Sequence, residues 1–422
     1  MGGPTRGGRR AAAMLGVAAL VAPALAACGA ATDDGIVINL YNAPEQNLGK
    51  VVETCNQRAA GRYRIVLNTL PRGADGQREQ LVRRLAAHDS DMDVLGLDIT
   101  WTPEFAEAGW IREWTGRHKE EAERDVLPGP LASTRWKGRS YAAAKNSNVQ
   151  LLWYRSDLVD QPPATWQDMI STAQRLQQQG KPGTVLLTGA QYEGLFVNYN
   201  NIVGALDGHI LSEDGSRAVM DDATVKALEV LRDFARSGVT SPSLTNQRED
   251  DVRLAFQSGN AAFQINWPFV HPATKAGNPQ VFQNMKWAPL PGVEPGKPGR
   301  ATIGGANYGV SAYSRHPEEA FDAVLCLRDA ENQKFQAVKD GLPPTLASVY
   351  DEPEMAEAYP MRDVIREQLR DPALRPMTPA YQNVSTVMST VLSPPSAIDP
   401  KATADRLREE LQAAIESKGV LP

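Results

Sequence analysis

The chain has 422 residues, more than one hydrophobic core usually organises, so we expect two domains of roughly 150–200 residues each. Its 42% hydrophobic and 22% charged residues are typical of a soluble globular protein and exclude a disordered or polytopic membrane protein. Without the first 27 residues, 41 basic residues face 50 acidic ones, a formal charge of −9. A nucleic-acid partner is not expected, because that binding needs a basic surface.

The N-terminal segment reads as an export signal. Three arginines precede the apolar run Ala11–Ala27, which has 17 residues, is short for a bilayer span and ends in small residues. The run closes as Leu25-Ala26-Ala27-Cys28, which resembles a bacterial lipobox. We therefore predict a signal peptide over residues 1–27, a lipidated Cys28, a tether over residues 28–35 and anchoring to the outer face of the cell membrane. A simple secretory signal that ends at a cysteine is the alternative.

The first region of the mature chain alternates strands with helices. The predicted elements are a strand at Ile36–Leu40, a helix at Leu48–Ala60, a strand at Arg62–Leu70, a helix at Gln77–His88 and a strand at Asp93–Leu97. This order predicts an open α/β sheet, in which ligands bind beyond the carboxyl ends of the strands. The segments 41–47, 71–75 and 98–101 fall at those ends.

A second α/β region begins near residue 150. Its predicted elements are a strand at Gln150–Tyr154 and helices near Trp166–Gln179, Ala223–Ser237 and Asp250–Ser258. A proline- and glycine-rich connection, 289–300, leads to a strand at Ala301–Ser311 and a helix that begins at Pro317 and ends before Gly341. From Thr345 to Val420 the pattern is helical, with an interruption at Arg375–Pro379.

Two cysteines remain after Cys28. Cys55 and Cys326 each lie on the apolar face of a predicted helix, in an exported protein where disulfides are stable. They form either a disulfide bond or two separately buried thiols. A bond would place both residues in one lobe, so that the chain leaves that lobe and returns to it.

Common catalytic motifs are absent from the sequence. We find no G-x-G-x-x-G, Walker A, G-x-S-x-G or H-E-x-x-H, and the five histidines lack metal-ligand spacing. We expect no cofactor, no metal and no enzymatic activity. Carboxylate chemistry stays open as an alternative, in the form of a secreted glycosidase that uses Asp98 and Glu249.

One motif points to a family. The run from Asp98 to Trp110, D-x-x-W-x-x-E-F-A-E-A-G-W, resembles the extracellular sugar-binding proteins of ABC importers. Further matches follow in the family's order: Asn148–Tyr154, Arg253–Phe256, Asn266–Phe269, Thr302–Gly305, Gly341–Pro343 and Arg375–Tyr381. The two cysteines and the ending Gly419–Pro422 are similar to a mycobacterial branch of trehalose-binding lipoproteins. The segment between Phe269 and Trp287 is shorter than in that branch.

The resemblance implies a two-lobed α/β fold of the periplasmic-binding-protein type, with a multi-strand hinge and a ligand cleft between the lobes. The N-terminal lobe would comprise residues 36–145 and 303–342, and the C-terminal lobe residues 146–302 and 343–422. The chain would be a monomer that captures trehalose and delivers it to the permease and ATPase subunits of an importer. Another disaccharide or a polyol phosphate is the alternative ligand.

Nine residues are expected to bind the ligand, by position in the resemblance: Asn42, Glu45, Gln46, Asp98, Asn148, Glu249, Trp267, Gly305 and Arg375. Their chemistry suits a sugar, because carboxylates accept from paired hydroxyls, arginine and asparagine donate to sugar oxygens, and an indole covers the apolar face of a pyranose. Most of them have a structural alternative. These are an N-cap for Asp98, a solvated charge cluster for Glu249, the core for Trp267, a hinge bend for Gly305, a surface pair with Asp371 for Arg375, and an ordinary polar loop after the first strand for Asn42, Glu45 and Gln46.

Overall fold

The computed structural model describes Gly2 and residues 35–417. The predicted signal peptide, Cys28, nearly all of the tether and the last five residues lie outside this part of the chain. Among the described residues, no helix is both long enough and apolar enough to cross a membrane.

Residues 35–417 form eleven strands: β1 Val37–Asn42, β2 Arg64–Thr69, β3 Val94–Asp98, β4 Arg135–Trp136, β5 Arg139–Ser140, β6 Ala143–Val149, β7 Leu151–Arg155, β8 Thr184–Leu186, β9 Ala261–Asn266, β10 Met285–Ala288 and β11 Ile303–Val310. The first sheet has the order β2-β1-β3-β11-β6, and the second has the order β10-β7-β9-β8. Strands β1 to β3 run parallel, whereas β11 is antiparallel to both of its neighbours. Strands β4 and β5 form a separate hairpin.

The same residues form seventeen α-helices: α1 Leu48–Ala59, α2 Ala74–Ala86, α3 Thr102–Glu107, α4 Gly116–Glu123, α5 Pro128–Ser133, α6 Trp166–Gln178, α7 Glu193–Gly204, α8 Asp222–Arg236, α9 Glu249–Gln257, α10 Val270–Gly277, α11 Pro279–Gln283, α12 Pro317–Leu327, α13 Ala330–Asp340, α14 Pro353–Ala358, α15 Arg362–Gln368, α16 Tyr381–Val391 and α17 Pro400–Ile415. Short 3-10 helices lie at Ile99–Trp101, Leu244–Asn246, Ala347–Asp351 and Pro395–Ala397.

The first sheet has an apolar core on each face. Because successive strand residues point to opposite faces, Val94 joins the core that contains α1 and α12, and Leu95 joins the core that contains α2 and α3. The second sheet lies in one larger core that also takes in α6 to α8 and the helices after residue 346. Each sheet and its helices form one lobe of a two-lobed α/β fold.

The chain passes between the lobes at three places. Strand β6 of the first sheet runs into β7 of the second with only Gln150 between them. Strand β11 brings the chain back, and its first residue, Ile303, pairs with Val149. The segment after α13 crosses again, and Pro343 there accepts a hydrogen bond from the backbone of Ser147. These three crossings form the hinge.

Cys55 and Cys326 are joined by a disulfide bond in the first lobe. The bond links α1 to α12 with 5.8 Å between the two Cα atoms. It connects residues 271 positions apart, so α12 returns to the lobe that contains α1.

One expectation about helices is wrong, and one helix was not expected. The helix predicted from Pro317 to Gly341 is two helices, because the chain breaks at Arg328 and the Asp329 side chain caps α13 by accepting from the backbone of Asn332. The helix α7 was not predicted, and nearly every residue in it is buried. A helix that is buried all round lacks the amphipathic pattern by which helices are recognised.

Candidate functional site

A cavity of about 700 Å³ lies between the two lobes, within the range of about 300–1,000 Å³ usual for small-molecule sites. Eight of the nine predicted ligand-binding residues line it: Asn42, Glu45, Asp98, Asn148, Glu249, Trp267, Gly305 and Arg375. Gln46 does not line the cavity and is exposed at the surface. A depression of about 740 Å³ beside Ser212 and Gln412 has only six lining residues and no aromatic side chain. The interlobe cavity, hereafter the cleft, is therefore the candidate site.

Asp98 lies at the carboxyl end of β3, where the α/β rule places ligands. Its Oδ1 atom accepts from the backbone N–H of Thr100 at 2.9 Å and from the Thr100 hydroxyl at 2.7 Å, so it caps the 3-10 helix that follows. Arg375 donates to the same oxygen at 3.1 Å. Asp98 thus has the structural role considered from the sequence and also faces the cleft.

Arg375 is a buried cation between two carboxylates. Its guanidinium donates to Asp98 of the first lobe and, at 2.7 Å, to Glu193 of the second. Burial lowers the pKa of Arg375, but the charges of Asp98, Tyr381 and Glu193 outweigh this and raise it above its ordinary value. The surface pair with Asp371 considered from the sequence is wrong, because Asp371 binds Arg300 at 2.6 Å. The described contacts give Arg375 Nε no partner.

Glu193 is a cleft residue that the sequence did not reveal. It begins the buried helix α7 and accepts hydrogen bonds from Arg375, Tyr381 and Ser385. Burial raises its pKa, and these three partners counteract that rise. A carboxylate directly before the short apolar stretch Gly194–Val197 is the only sequence signal for it.

Glu249 begins α9 and lines the cleft next to Tyr192. Burial, and then the nearby charge of Glu249, raises the pKa of Tyr192, and the Arg248 guanidinium lies 4.7 Å from the centre of the Tyr192 ring. The neighbouring acids have other partners. Asp251 accepts from the backbone N–H of Arg248 at 3.0 Å, and Asp250 pairs with Arg253.

Trp267 follows β9 and lines the cleft half-buried, so it is not a core residue. The buried Asn266 side chain accepts from the Trp267 backbone N–H at 2.9 Å and donates to the Glu249 carbonyl at 3.0 Å. One amide therefore holds the backbones of two cleft residues.

Gly305 permits a close approach of two hinge strands. Its φ is +119°, a conformation that favours glycine, and a Cβ there would lie 2.2 Å from the carbonyl oxygen of Asn146. The adjacent Gly304 lies opposite Asn148 in the pairing of β11 with β6. Asn148 therefore lines the cleft from the hinge itself.

Asn42 and Glu45 belong to an ionic network beside the cleft. The Asn42 amide donates to Glu45 at 3.0 Å, and Glu45 also accepts from Gln336 at 2.9 Å. The Nζ of Lys145, whose side chain is fully buried, lies 2.8 Å from Glu45. These contacts give Glu45 a structural role as well as a place in the lining.

Acidic side chains outnumber basic ones in the lining. Seven carboxylates face the cleft, from Glu45, Asp75, Asp98, Glu193, Glu249, Asp250 and Asp251, against the three arginines Arg72, Arg248 and Arg375. Arg78 pairs with Glu104 and does not line the cleft, so it adds no positive charge there. No group of three or more metal-ligating side chains occurs within the described residues.

The chain is similar in sequence to bacterial solute-binding proteins. The family model for bacterial extracellular solute-binding proteins matches residues 59–334. A probable ABC transporter-binding protein of Deinococcus radiodurans is 27% identical over 351 residues, which cover 78% of this chain and 80% of the relative.

Two solved structures are similar over almost their whole length. The maltose-bound MalE3 protein of T. maritima has 25% identity and a TM-score of 0.81, over 90% of this chain and 99% of that one. The GacH receptor of Streptomyces glaucescens, solved unliganded and with acarbose, has 20% identity and a TM-score of 0.78, over 91% of this chain and 100% of that one.

These similarities confirm the predicted fold class, and they support a binding protein rather than an enzyme. They give no support to the glycosidase alternative. The family match spans more than half of the 422 residues. The chain belongs to the family of bacterial extracellular solute-binding proteins.

Proposed function

We propose that this protein is the sugar receptor of an ABC importer, that it binds trehalose or a related disaccharide in the cleft, and that it delivers the sugar to the permease and ATPase subunits. The observation that carries the proposal is the lining of the cleft, which combines carboxylates and amides with the aromatic side chains Tyr192, Trp267 and Phe269. A sugar presents hydroxyls that suit the former and apolar ring faces that suit the latter.

The charge of the cleft favours a neutral sugar over a polyol phosphate. Arg375 is already held by two carboxylates, and the seven acids of the lining repel an anion. The maltose and acarbose held by the two similar structures also support a saccharide ligand. The choice of trehalose as the ligand rests on the resemblance to the mycobacterial branch.

Closure of the lobes around the sugar is the proposed signal to the permease. In this proposal the lobes are residues 36–145 with 303–342 and residues 146–302 with 343–422. The nine residues expected from the sequence remain the proposed ligand set, and Glu193 and Tyr192 are added to it.

Isothermal titration of the protein with trehalose, maltose, other disaccharides and a polyol phosphate tests the proposal. We expect saturable binding of at least one neutral disaccharide and none of the phosphate. Absence of binding across the disaccharides would contradict the proposal, as would release of glucose from trehalose, which would indicate an enzyme.

Lipid anchoring through Cys28 is a second part of the proposal. We expect Cys28→Ala to remain unlipidated. Because it lacks the acyl chains that stable anchoring needs, it should leave the membrane fraction. The purified variant should bind sugar like wild type. Retention of Cys28→Ala on membranes would contradict the assignment.

A further inference from the structure

Gly304 lies against the ring of Trp267. A Cβ built on Gly304 would stand 2.9 Å from Cη2 and 3.1 Å from Cζ3 of the indole. Carbon atoms attract best at about 3.5–4.0 Å, so a methyl group there would push the ring away. Both residues line the cleft.

The backbone does not explain why residue 304 is a glycine. Gly305, its neighbour, has a positive φ and would direct a Cβ into the carbonyl oxygen of Asn146. Gly304 has no positive φ, and its other close neighbour, the Asn148 Cβ, would lie at 3.7 Å, an ordinary contact. The indole is therefore the one group that a side chain at position 304 would displace.

Two contacts, one from each lobe, determine the position of the Trp267 side chain. Its backbone is held by the buried Asn266, at the end of β9 in the second lobe. Its ring rests on Gly304 of the hinge strand β11, which belongs to the first sheet. The contact thus sets the ring relative to the polar groups of both lobes.

We propose that Gly304 is a positioning residue for Trp267, which fixes the depth and tilt at which the indole meets the ring of a bound sugar. This inference rests on the proposed function. It assigns to Gly304 a role in affinity that needs no contact between Gly304 and the ligand.

A double-mutant cycle by isothermal titration tests the inference, with wild type, Gly304→Ala, Trp267→Ala and the double variant. The ligand is the disaccharide that wild type binds most tightly. We expect Gly304→Ala to bind about 10-fold more weakly, since small misplacements of a binding group are costly. In the Trp267→Ala background the same substitution should change affinity less than about twofold, because the two residues act as one unit.

Gly49→Ala is the matched control, because Gly49 lies in α1 with open space around it and away from the cleft. It should bind like wild type. Wild-type affinity in Gly304→Ala would overturn the inference, and so would equal losses from Gly304→Ala in the presence and absence of Trp267.

A measurement without ligand separates this inference from the proposed function. We expect the indole N–H resonance of Trp267, assigned by its loss in Trp267→Phe, to shift in Gly304→Ala and to stay unchanged in Gly49→Ala. An unshifted resonance would overturn the inference. A shifted resonance in a protein that binds no sugar would uphold the contact but contradict the proposed function and the role in affinity.

Discussion

Both walls of the cleft carry charged side chains, whereas the aromatic side chains Tyr192, Trp267 and Phe269 all come from the wall of the second lobe. Among the described residues that line the cleft, these are the only aromatic ones. On the first wall, hydrogen bonds and ion pairs such as those of Asp98 and Glu45 set the geometry. On the second wall, ring faces add apolar contact area beside the charged side chains.

The difference teaches that charged and aromatic lining residues should respond differently to substitution. Removal of a paired charge leaves its partner unsatisfied in a partly buried site, which is costly. Removal of a ring takes away contact area and leaves no orphaned polar atom. The Trp267→Ala variant of the mutant cycle removes a ring. The predictions below remove charged side chains and the disulfide bond, from the largest expected effect to the smallest.

Arg375→Ala should have the largest effect, because Arg375 joins the two walls. Its side chain is only 5% exposed, and its loss removes the positive charge that pairs with both Asp98 and Glu193. We expect the free energy of unfolding of the empty protein to fall by about 3–5 kcal/mol, together with a loss of sugar binding. Urea unfolding and calorimetric titration measure these effects.

Arg300→Ala is the control for this variant. Its partner Asp371 is 82% exposed, and such surface pairs contribute about 1 kcal/mol or less. If Arg375→Ala proves as stable as Arg300→Ala, the buried pairing described here is incorrect.

The disulfide of the first lobe should stabilise the fold without affecting the cleft. It joins two cysteines that lie 271 positions apart. Loss of such a bond typically lowers the free energy of unfolding by roughly 2–5 kcal/mol. We expect the double variant Cys55→Ser/Cys326→Ser to unfold at a lower temperature and to bind sugar with wild-type affinity. Peptide mapping without reductant should yield the linked peptides. Separately alkylated peptides would show that the bond is absent.

Asp98→Ala and Glu249→Ala test one carboxylate from each wall. Each lost hydrogen bond to a buried ligand should cost about 1.5–3 kcal/mol, which corresponds to roughly 10- to 150-fold weaker binding. Titration of both variants with the best disaccharide gives the values. Glu107→Ala is the control, since Glu107 accepts from Trp136 and Lys137 outside the cleft and its loss should leave affinity unchanged. Wild-type affinity in both cleft variants would show that these carboxylates are structural.

The amphipathic part of the fold is predictable from the sequence. The helix expected at Leu48–Ala60 is observed at Leu48–Ala59, because its apolar residues recur on one face that packs against the sheet. Helix α7 escaped prediction because it is buried on all sides, and strand β8 because it has only three residues. Hydrophobic periodicity identifies only those helices and strands that have one face exposed to solvent.

The site was predictable where a motif carried it. The resemblance placed Asp98, Trp267 and Arg375 in one cleft although they lie far apart along the chain. It did not reveal Glu193, whose role depends on the three side chains that fold around it. The pairing of Arg375 with two carboxylates likewise follows from the tertiary structure, because residues 98, 193 and 375 share no local pattern.

A crystal structure of the protein with its tightest-binding disaccharide tests the central claim most directly. We predict a sugar ring with its apolar face against the indole of Trp267 and hydroxyls within hydrogen-bond distance of Asp98 and Glu249. A sugar bound elsewhere, or one in the cleft that contacts neither Trp267 nor these carboxylates, would contradict the account of two unlike walls that close on one saccharide.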